Sequence, residues 1–271
     1  MRRTLSIILS IMILFPNICE ARKKKKEEGI GIVAHRGFWN CTQAGYAKNS
    51  IAALRCAQEA GFWGSEFDVS MTADSVLIIY HDNEIEGKRI EDHPYSAFKD
   101  IRLPNGEPIP TIDEFLAQGK KYPQTKLVYE LKPLSSPEAE ERFVNLAIAN
   151  LAENGLLHPE RVMFISFSLN ICRKIAGMLP GYTVQFLDSG QSPKQLDSLK
   201  INGVDYNHKV YELNPQWIRM ARKRKMSINV WTVDKPEDMV RMFTSGVNLL
   251  TTDQPLLARG VLQQMGIKEA R

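Results

Sequence analysis

The chain has 271 residues and only four cysteines, none in a CxxC pair. That absence excludes a cysteine-based zinc site and a full disulfide framework. Cys19 lies in the N-terminal segment, leaving Cys41, Cys56 and Cys172. Such an odd set has room for one bridge or for free buried thiols. No glycine-rich dinucleotide fingerprint follows a candidate strand, which counts against a dinucleotide-binding open sheet. A dominant charge is missing too: 35 basic residues face 31 acidic ones, for a net charge of +4. That balance gives no argument for a nucleic-acid partner. Residues 5–15 (LSIILSIMILF) form an apolar-rich run, too short to span a bilayer comfortably as a helix.

What is present at the N-terminus is a leader pattern. Arg2 and Arg3 precede the apolar run, and Cys19-Glu20-Ala21 puts small residues at the −3 and −1 positions of a cleavage site. Residues 1–21 therefore read as a secretory signal peptide and predict an exported protein, periplasmic or secreted, with no membrane span in the mature chain. Pro16-Asn17-Ile18 before Cys19 is a poor context for lipid attachment. Residues 22–28 (RKKKKEE) read as a solvated, charged linker, which is extended to residue 30. The remainder, 31–271, shows no clear break and suits one domain.

Short apolar runs alternate with amphipathic stretches through that domain. The spacing predicts strands at 31–35, 65–69, 127–132, 162–168, 183–187, 203–207, 227–233 and 248–252. Helices are predicted at 50–60, 137–154, 169–178, 193–200, 215–225 and 236–244, several with proline near the first turn. Eight strands with helical crossovers predict an α/β fold, a (β/α)8 TIM barrel. Two departures from the bare repeat are expected. Residues 76–80 form a return strand, a β-hairpin extension after strand two, and the polar stretch 83–110 is a small insertion beside the barrel mouth.

In a barrel of this kind, residues at the C-terminal ends of strands face the active site. Strand one delivers His35 and Arg36. Strand two delivers Glu66 and Asp68 on one face, because side chains alternate along a strand. Strand three delivers Glu130 and Lys132, and the return hairpin brings His81 back toward the acids, with Asp68 expected opposite His81. Three carboxylates suit a hard divalent cation, Mg²⁺ or Ca²⁺, better than zinc. Arginine and lysine beside it imply an anionic substrate, with phosphate the natural candidate. Two histidines supply a general acid and a general base across a scissile P–O bond. Together they describe phosphoryl-ester hydrolysis.

The segments VAHRG, NSIAALRCAQEAG, SEFDVSMTADSVLIIYHD, IPTIDEFL, VYELK, FISFS, VWTV and TTDQP occur in this order from residue 33 to residue 255. As a set they resemble the motifs of the glycerophosphodiester phosphodiesterase family. The resemblance implies a TIM barrel that hydrolyses glycerophosphodiesters to glycerol phosphate and an alcohol. It places catalysis on His35 and His81, the metal on Glu66, Asp68 and Glu130, and phosphate contacts on Arg36 and Lys132. Phe167 and Trp231 match aromatic positions that wall the substrate pocket. One departure stands out: where the family reads PENT, this chain reads AKNS, with Lys48 replacing the acid. Asn49 and Ser50 still supply helix N-cap chemistry. Two alternatives remain beside hydrolysis of small diesters: phospholipase D- or C-like action on lysolipids or lipids, and a non-catalytic phosphoester-binding barrel. Pure capture has no use for an acid/base pair of histidines.

Overall fold

The computed structural model describes residues 29–271; the leader 1–21 and linker residues 22–28 lie outside the described residues. Runs buried on both faces become the strands, as a parallel sheet covered by helices requires. In chain order these are β1 (Gly31–Ala34), β2 (Gly64–Met71), the short return strand β3 (Leu77–Ile79), the two-residue pair β4 (Glu84–Ile85) and β5 (Lys88–Arg89), β6 (Lys126–Leu131), β7 (Val162–Ser166), β8 (Val184–Phe186), β9 (Gly203–Asn207), β10 (Ser227–Trp231) and β11 (Leu249–Thr252). Leaving out β3, β4 and β5, eight parallel strands run in the order β10-β9-β8-β7-β6-β2-β1-β11. The seam between β10 and β11 is bridged by Asn248 N–H to the Ile228 carbonyl (2.8 Å) and Val233 N–H to the Thr251 carbonyl (3.1 Å). The result is the expected (β/α)8 barrel, nearly closed by ladder pairing.

The helices are α1 (Ile51–Glu59), α2 (Ile112–Gly119), α3 (Pro137–Glu153), α4 (Leu169–Met178), α5 (Pro193–Ser198), α6 (His208–Leu213), α7 (Gln216–Lys223), α8 (Pro236–Ser245) and α9 (Pro255–Gln264). Ser50, Ser136 and Ser168 cap α1, α3 and α4 through their side chains, and Thr111 with Glu114 forms a capping box on α2. Each cap satisfies backbone N–H groups that the first turn leaves free. Three helices were not anticipated: α2, α6 and α9. In α9 the buried stripe of Ala258, Val261 and Leu262 is blurred by Leu256 and Leu257, both exposed. The two short ones, eight and six residues long, show too few turns for a period to emerge.

Two packed layers follow from strand alternation. Outward side chains such as Phe67, Tyr129 and Phe164 pack against the helices, while Val33, Val128, Met163, Ile165, Leu187 and Leu249 fill the barrel interior. Toward the C-terminal end the inward positions turn polar, at Glu66, Asp68, Glu130 and Asp205, all buried. The insertion is better organised than its polar composition suggests. Ile85, Ile90, Phe98, Leu103 and Ile109 close with Ile78 and Ala47 into a satellite core of their own.

Two expectations are corrected. The return hairpin pairs Val69 with Ile79 and Met71 with Leu77, so Tyr80, not His81, lies opposite Asp68; Tyr80 N–H donates to the Asp68 carbonyl (3.0 Å). The reversal is set by Thr72, whose hydroxyl bonds the Val76 carbonyl and the Asp74 carboxylate, and by Ser75 in a left-handed conformation (φ 66°). Ile30, placed by sequence in the linker, is already part of the barrel: its N–H donates to Lys268 and its carbonyl accepts from Ala270. Cys41, Cys56 and Cys172 are free thiols, so the option of a bridge falls away. Among the described residues, no helix is long and apolar enough to cross a membrane.

Candidate active site

The first turn after β1 is tightly wound. Arg36 (φ 54°) and Gly37 (φ 78°) are both left-handed, and a Cβ on Gly37 would sit 2.7 Å from the backbone and Cβ of Ala53 on α1. This turn swings His35 and Arg36 over the end of β2. The Arg36 N–H donates to Glu66 Oε2 (2.6 Å), and its Nε lies 3.6 Å from Asp68 Oδ2. Glu66 and Asp68 stand on the inward face of β2, and Glu130 on β6 is in register with Asp68. One carboxylate oxygen from each of the three lies within 4.8 Å of the others.

Burial makes that cluster electrostatically uneasy. Desolvation, then the charges of Asp68 and Glu130, push the Glu66 carboxyl well above the usual range. Desolvation and the Asp68 charge raise Glu130 to about 7. Asp68 goes the other way. Burial opposes its ionisation, but Lys132, His81, the Asn49 hydrogen bond and Arg36 together hold it below the usual carboxylate range. Lys132 Nζ reaches Glu130 Oε1 (2.8 Å) and Asp68 Oδ1 (3.3 Å), and those two carboxylates outweigh burial to raise its own pKa. Glu66 Oε1 is buried with no hydrogen-bond partner. An orphaned acceptor facing two further carboxylates is the arrangement a hard cation would complete, so the residues present fit a divalent ion.

The two histidines flank the same cavity of about 180 Å³, which Glu66, Glu130 and Arg36 also line. Each is backed by an aspartate. His35 Nδ1 pairs with Asp253 Oδ1 at 2.8 Å, and His81 Nδ1 with Asp82 Oδ1 at 2.6 Å. A carboxylate on Nδ1 assigns the proton to that nitrogen and leaves Nε2 for chemistry. Desolvation holds His81 below its ordinary value, although Asp68 and Asp82 pull the other way. Phe167 and Trp231 meet edge to face at the rim, ring centroids 5.6 Å apart, and both line the cavity.

All nine sequence-selected residues converge on this end of the barrel, but not in equal roles. His81 reaches the cavity from the bend beyond β3, outside the pleat, so the strand register does not decide where it points. Lys132 and Asp68 sit behind the cavity wall, and the Lys132 ammonium is engaged by carboxylates.

Several contributors were not singled out from sequence. Asn49, expected as a cap, instead clamps Asp68: its Nδ2 donates to Asp68 Oδ2 (2.9 Å) from a left-handed backbone (φ 59°), while Ser50 does the capping. Asp253 follows β11 and also accepts from Trp39 Nε1 (2.9 Å). Asp234 fixes it by accepting from the Asp253 N–H (2.8 Å) and the Thr252 hydroxyl (2.9 Å). Lys48, the departure from the family pattern, lies over the Trp39 ring at 4.5 Å and helps hold the Asp253 carboxyl down, after the larger effect of its bond to His35. Asp205 on β9 is buried, lines the cavity and is pushed well up by desolvation. Placement directly after a barrel strand was the available signal for Asp253; Asn49 carried none.

Comparison with known proteins agrees with this geometry. Residues 35–257 match the glycerophosphoryl diester phosphodiesterase family. A glycerophosphodiester phosphodiesterase of Caldanaerobacter subterraneus subsp. tengcongensis is 26% identical over 244 residues, covering 83% of this chain and 94% of that protein. One from Bacillus subtilis is 26% identical over 282 residues, covering 92% of each. A crystal structure of a glycerophosphodiester phosphodiesterase from Parabacteroides distasonis superposes with a TM-score of 0.85 at 37% identity, covering 88% of this chain and 99% of the other.

Proposed function

The chain belongs to the glycerophosphoryl diester phosphodiesterase family and is a phosphoric diester hydrolase acting on glycerophosphodiesters; on that premise we propose that His35 and His81 are its acid/base pair and that Glu66, Asp68 and Glu130 hold its divalent cation. The observation that carries the reading is the facing of two aspartate-backed imidazoles across a cavity floored by buried carboxylates. A cation held there, Mg²⁺ or Ca²⁺, would neutralise the carboxylates and draw charge from a phosphoryl oxygen. Arg36 lines the cavity, which places its guanidinium to meet the phosphate while its buried Nε lies 3.6 Å from Asp68 Oδ2. Lys132 balances Glu130 and Asp68 rather than contacting substrate first.

One imidazole Nε2 takes the proton of the attacking oxygen as its bond to phosphorus forms. The other, protonated, delivers its proton to the alcohol oxygen as the second P–O bond breaks. The aspartates keep both rings turned Nε2 inward. Phe167 and Trp231 wall the side on which the glycerol or alcohol arm lies. Export through residues 1–21 belongs to the same proposal: the substrates are soluble diesters met outside the cytoplasm.

The test is turnover of glycerophosphocholine, a lysophospholipid and an intact phospholipid, with Mg²⁺, Ca²⁺ or chelator. His35→Ala and His81→Ala should each lower kcat by about 10²–10⁴-fold with the fold retained. Hydrolysis surviving both substitutions would remove the histidine pair from the mechanism. Release from lysolipid alone would move the substrate class to phospholipase-like, and tight binding without turnover would make the barrel a capture protein.

A further inference from the structure

At the end of the barrel opposite the catalytic mouth, the strands begin around a bowl of about 610 Å³. Gly31, Lys126, Ser227 and Leu249, the first residues of β1, β6, β10 and β11, all line it. Its floor is apolar and aromatic: Trp63, Met163, Met226 and Leu249. Its lining cations are Lys126, Lys225, Lys268 and Arg271, and no aspartate or glutamate joins them. None of the four forms an ion pair with a carboxylate among the described residues. Lys126 is held in place, donating to the Pro159 carbonyl (2.8 Å) and lying 5.5 Å from the Trp63 ring centroid.

The loops entering strands on this face add exposed Lys120, Lys121 and Lys200. Of the acids nearby, Glu269 is taken by Arg259 and Asp197 lies beside Arg224. The charge balance of the whole chain conceals this local excess of cations around the bowl.

We propose that this N-terminal face of the barrel docks on an anionic phospholipid surface. The lysines and Arg271 meet headgroup phosphates, half-buried Trp63 faces the glycerol region from a bowl whose floor is closed by the buried Met163, Met226 and Leu249, and the catalytic mouth stays open to soluble substrate. Clusters of about four to eight Lys/Arg are what anionic headgroups attract. Tryptophan prefers the depth at which an apolar body and a polar edge are both satisfied. A nucleic-acid backbone would satisfy the cations and leave the apolar floor unmatched, which favours the lipid surface. The contact is peripheral and needs no membrane span.

The experiment uses the full chain with phosphatidylcholine vesicles, with and without phosphatidylglycerol, read by co-sedimentation. Binding is expected only with phosphatidylglycerol, and added salt should weaken it. Lys225→Asn combined with Lys268→Glu should weaken it at least about tenfold, each lost charge near the surface counting. Asparagine is chosen at 225 because φ there is 57°, a conformation it tolerates. Turnover of a soluble diester should not change. Lys209→Glu, an exposed lysine on mouth-side α6, should leave vesicle binding intact. Brominated lipid chains should quench a fluorescence component that Trp63→Phe lacks. Equal vesicle binding by the double variant would overturn the proposal, as would quenching unaffected by Trp63→Phe. Retention of duplex DNA as tight as that of vesicles would make the face a general polyanion surface. Saturable binding of inorganic phosphate without vesicle binding would make the bowl a small-anion site.

Discussion

A single residue class organises the chemistry: carboxylates whose neighbours differ. Glu66, Asp68 and Glu130 are all buried, yet only Asp68 adds the Asn49 amide and the pull of His81 to Lys132 and Arg36, and it alone is held low. The same logic separates the two aspartates behind the histidines. Asp82 is largely exposed, whereas Asp253 is partly buried and gathers His35, Trp39 and the Asp234-anchored backbone. Asp253→Asn keeps the volume but loses the charge that fixes the His35 tautomer. It should lower kcat by about 10²-fold or more with little change in KM, measured beside a thermal melt to show the fold is kept. A matching fall in kcat/KM with KM alone rising would make Asp253 a substrate-binding group instead.

At the scale of an element, the turn from β1 into α1 is the piece most sensitive to change. Gly37 is left-handed and packs within 2.7 Å of the Ala53 backbone for any added Cβ, so Gly37→Ala meets both dihedral strain and a clash that a side-chain shift cannot relieve. A cost of about 1–3 kcal/mol is expected, read as a lower midpoint in urea. Because the same turn aims His35 and the Arg36 N–H, activity should fall further than the loss of folded protein accounts for. A variant with normal activity and normal stability would show that the turn relaxes freely. The return hairpin teaches a related point. Its register differs by one residue from the simple fold-back, yet His81 still reaches the cavity, because the strand ends at Ile79 and the bend beyond it is not bound by the pleat.

For the whole molecule, the acid cluster links folding, protons and cation. Glu66 and Glu130 have folded-state pKa values above their unfolded ones. Their contribution is therefore present at pH below the unfolded carboxylate range and is lost as pH rises toward and through about 7, where Glu130 ionises in the fold. In chelator, Tm should decline across that window. A divalent cation, which binds the ionised form, should raise Tm most at the high-pH end, and its affinity should climb with pH as bound protons are released. Calorimetry in two buffers of different ionisation enthalpy checks the proton release. Affinity that is flat from acid to neutral pH would separate the cation from these carboxylates. Glu130→Gln should remove most of the Tm response to cation.

The sequence alone determined the repeat of eight strands and six of the nine helices among the described residues, and with it which residues end each inner strand. Alternation along a strand is a local rule, so His35, Glu66, Asp68 and Glu130 were legible as mouth residues before any packing was known, while Trp231 was marked only by the family resemblance. Tertiary structure decided what no local rule carries. Asn49 clamps Asp68 across 19 positions, and Asp253 meets His35 across 218, because barrel closure brings the last strand beside the first. It also decided the electrostatics. Composition reports a chain near charge balance, whereas the fold gathers Lys126, Lys225, Lys268 and Arg271 around the strand starts and buries Glu66, Asp68 and Glu130 at the strand ends, and desolvation then sets which of those acids hold their protons.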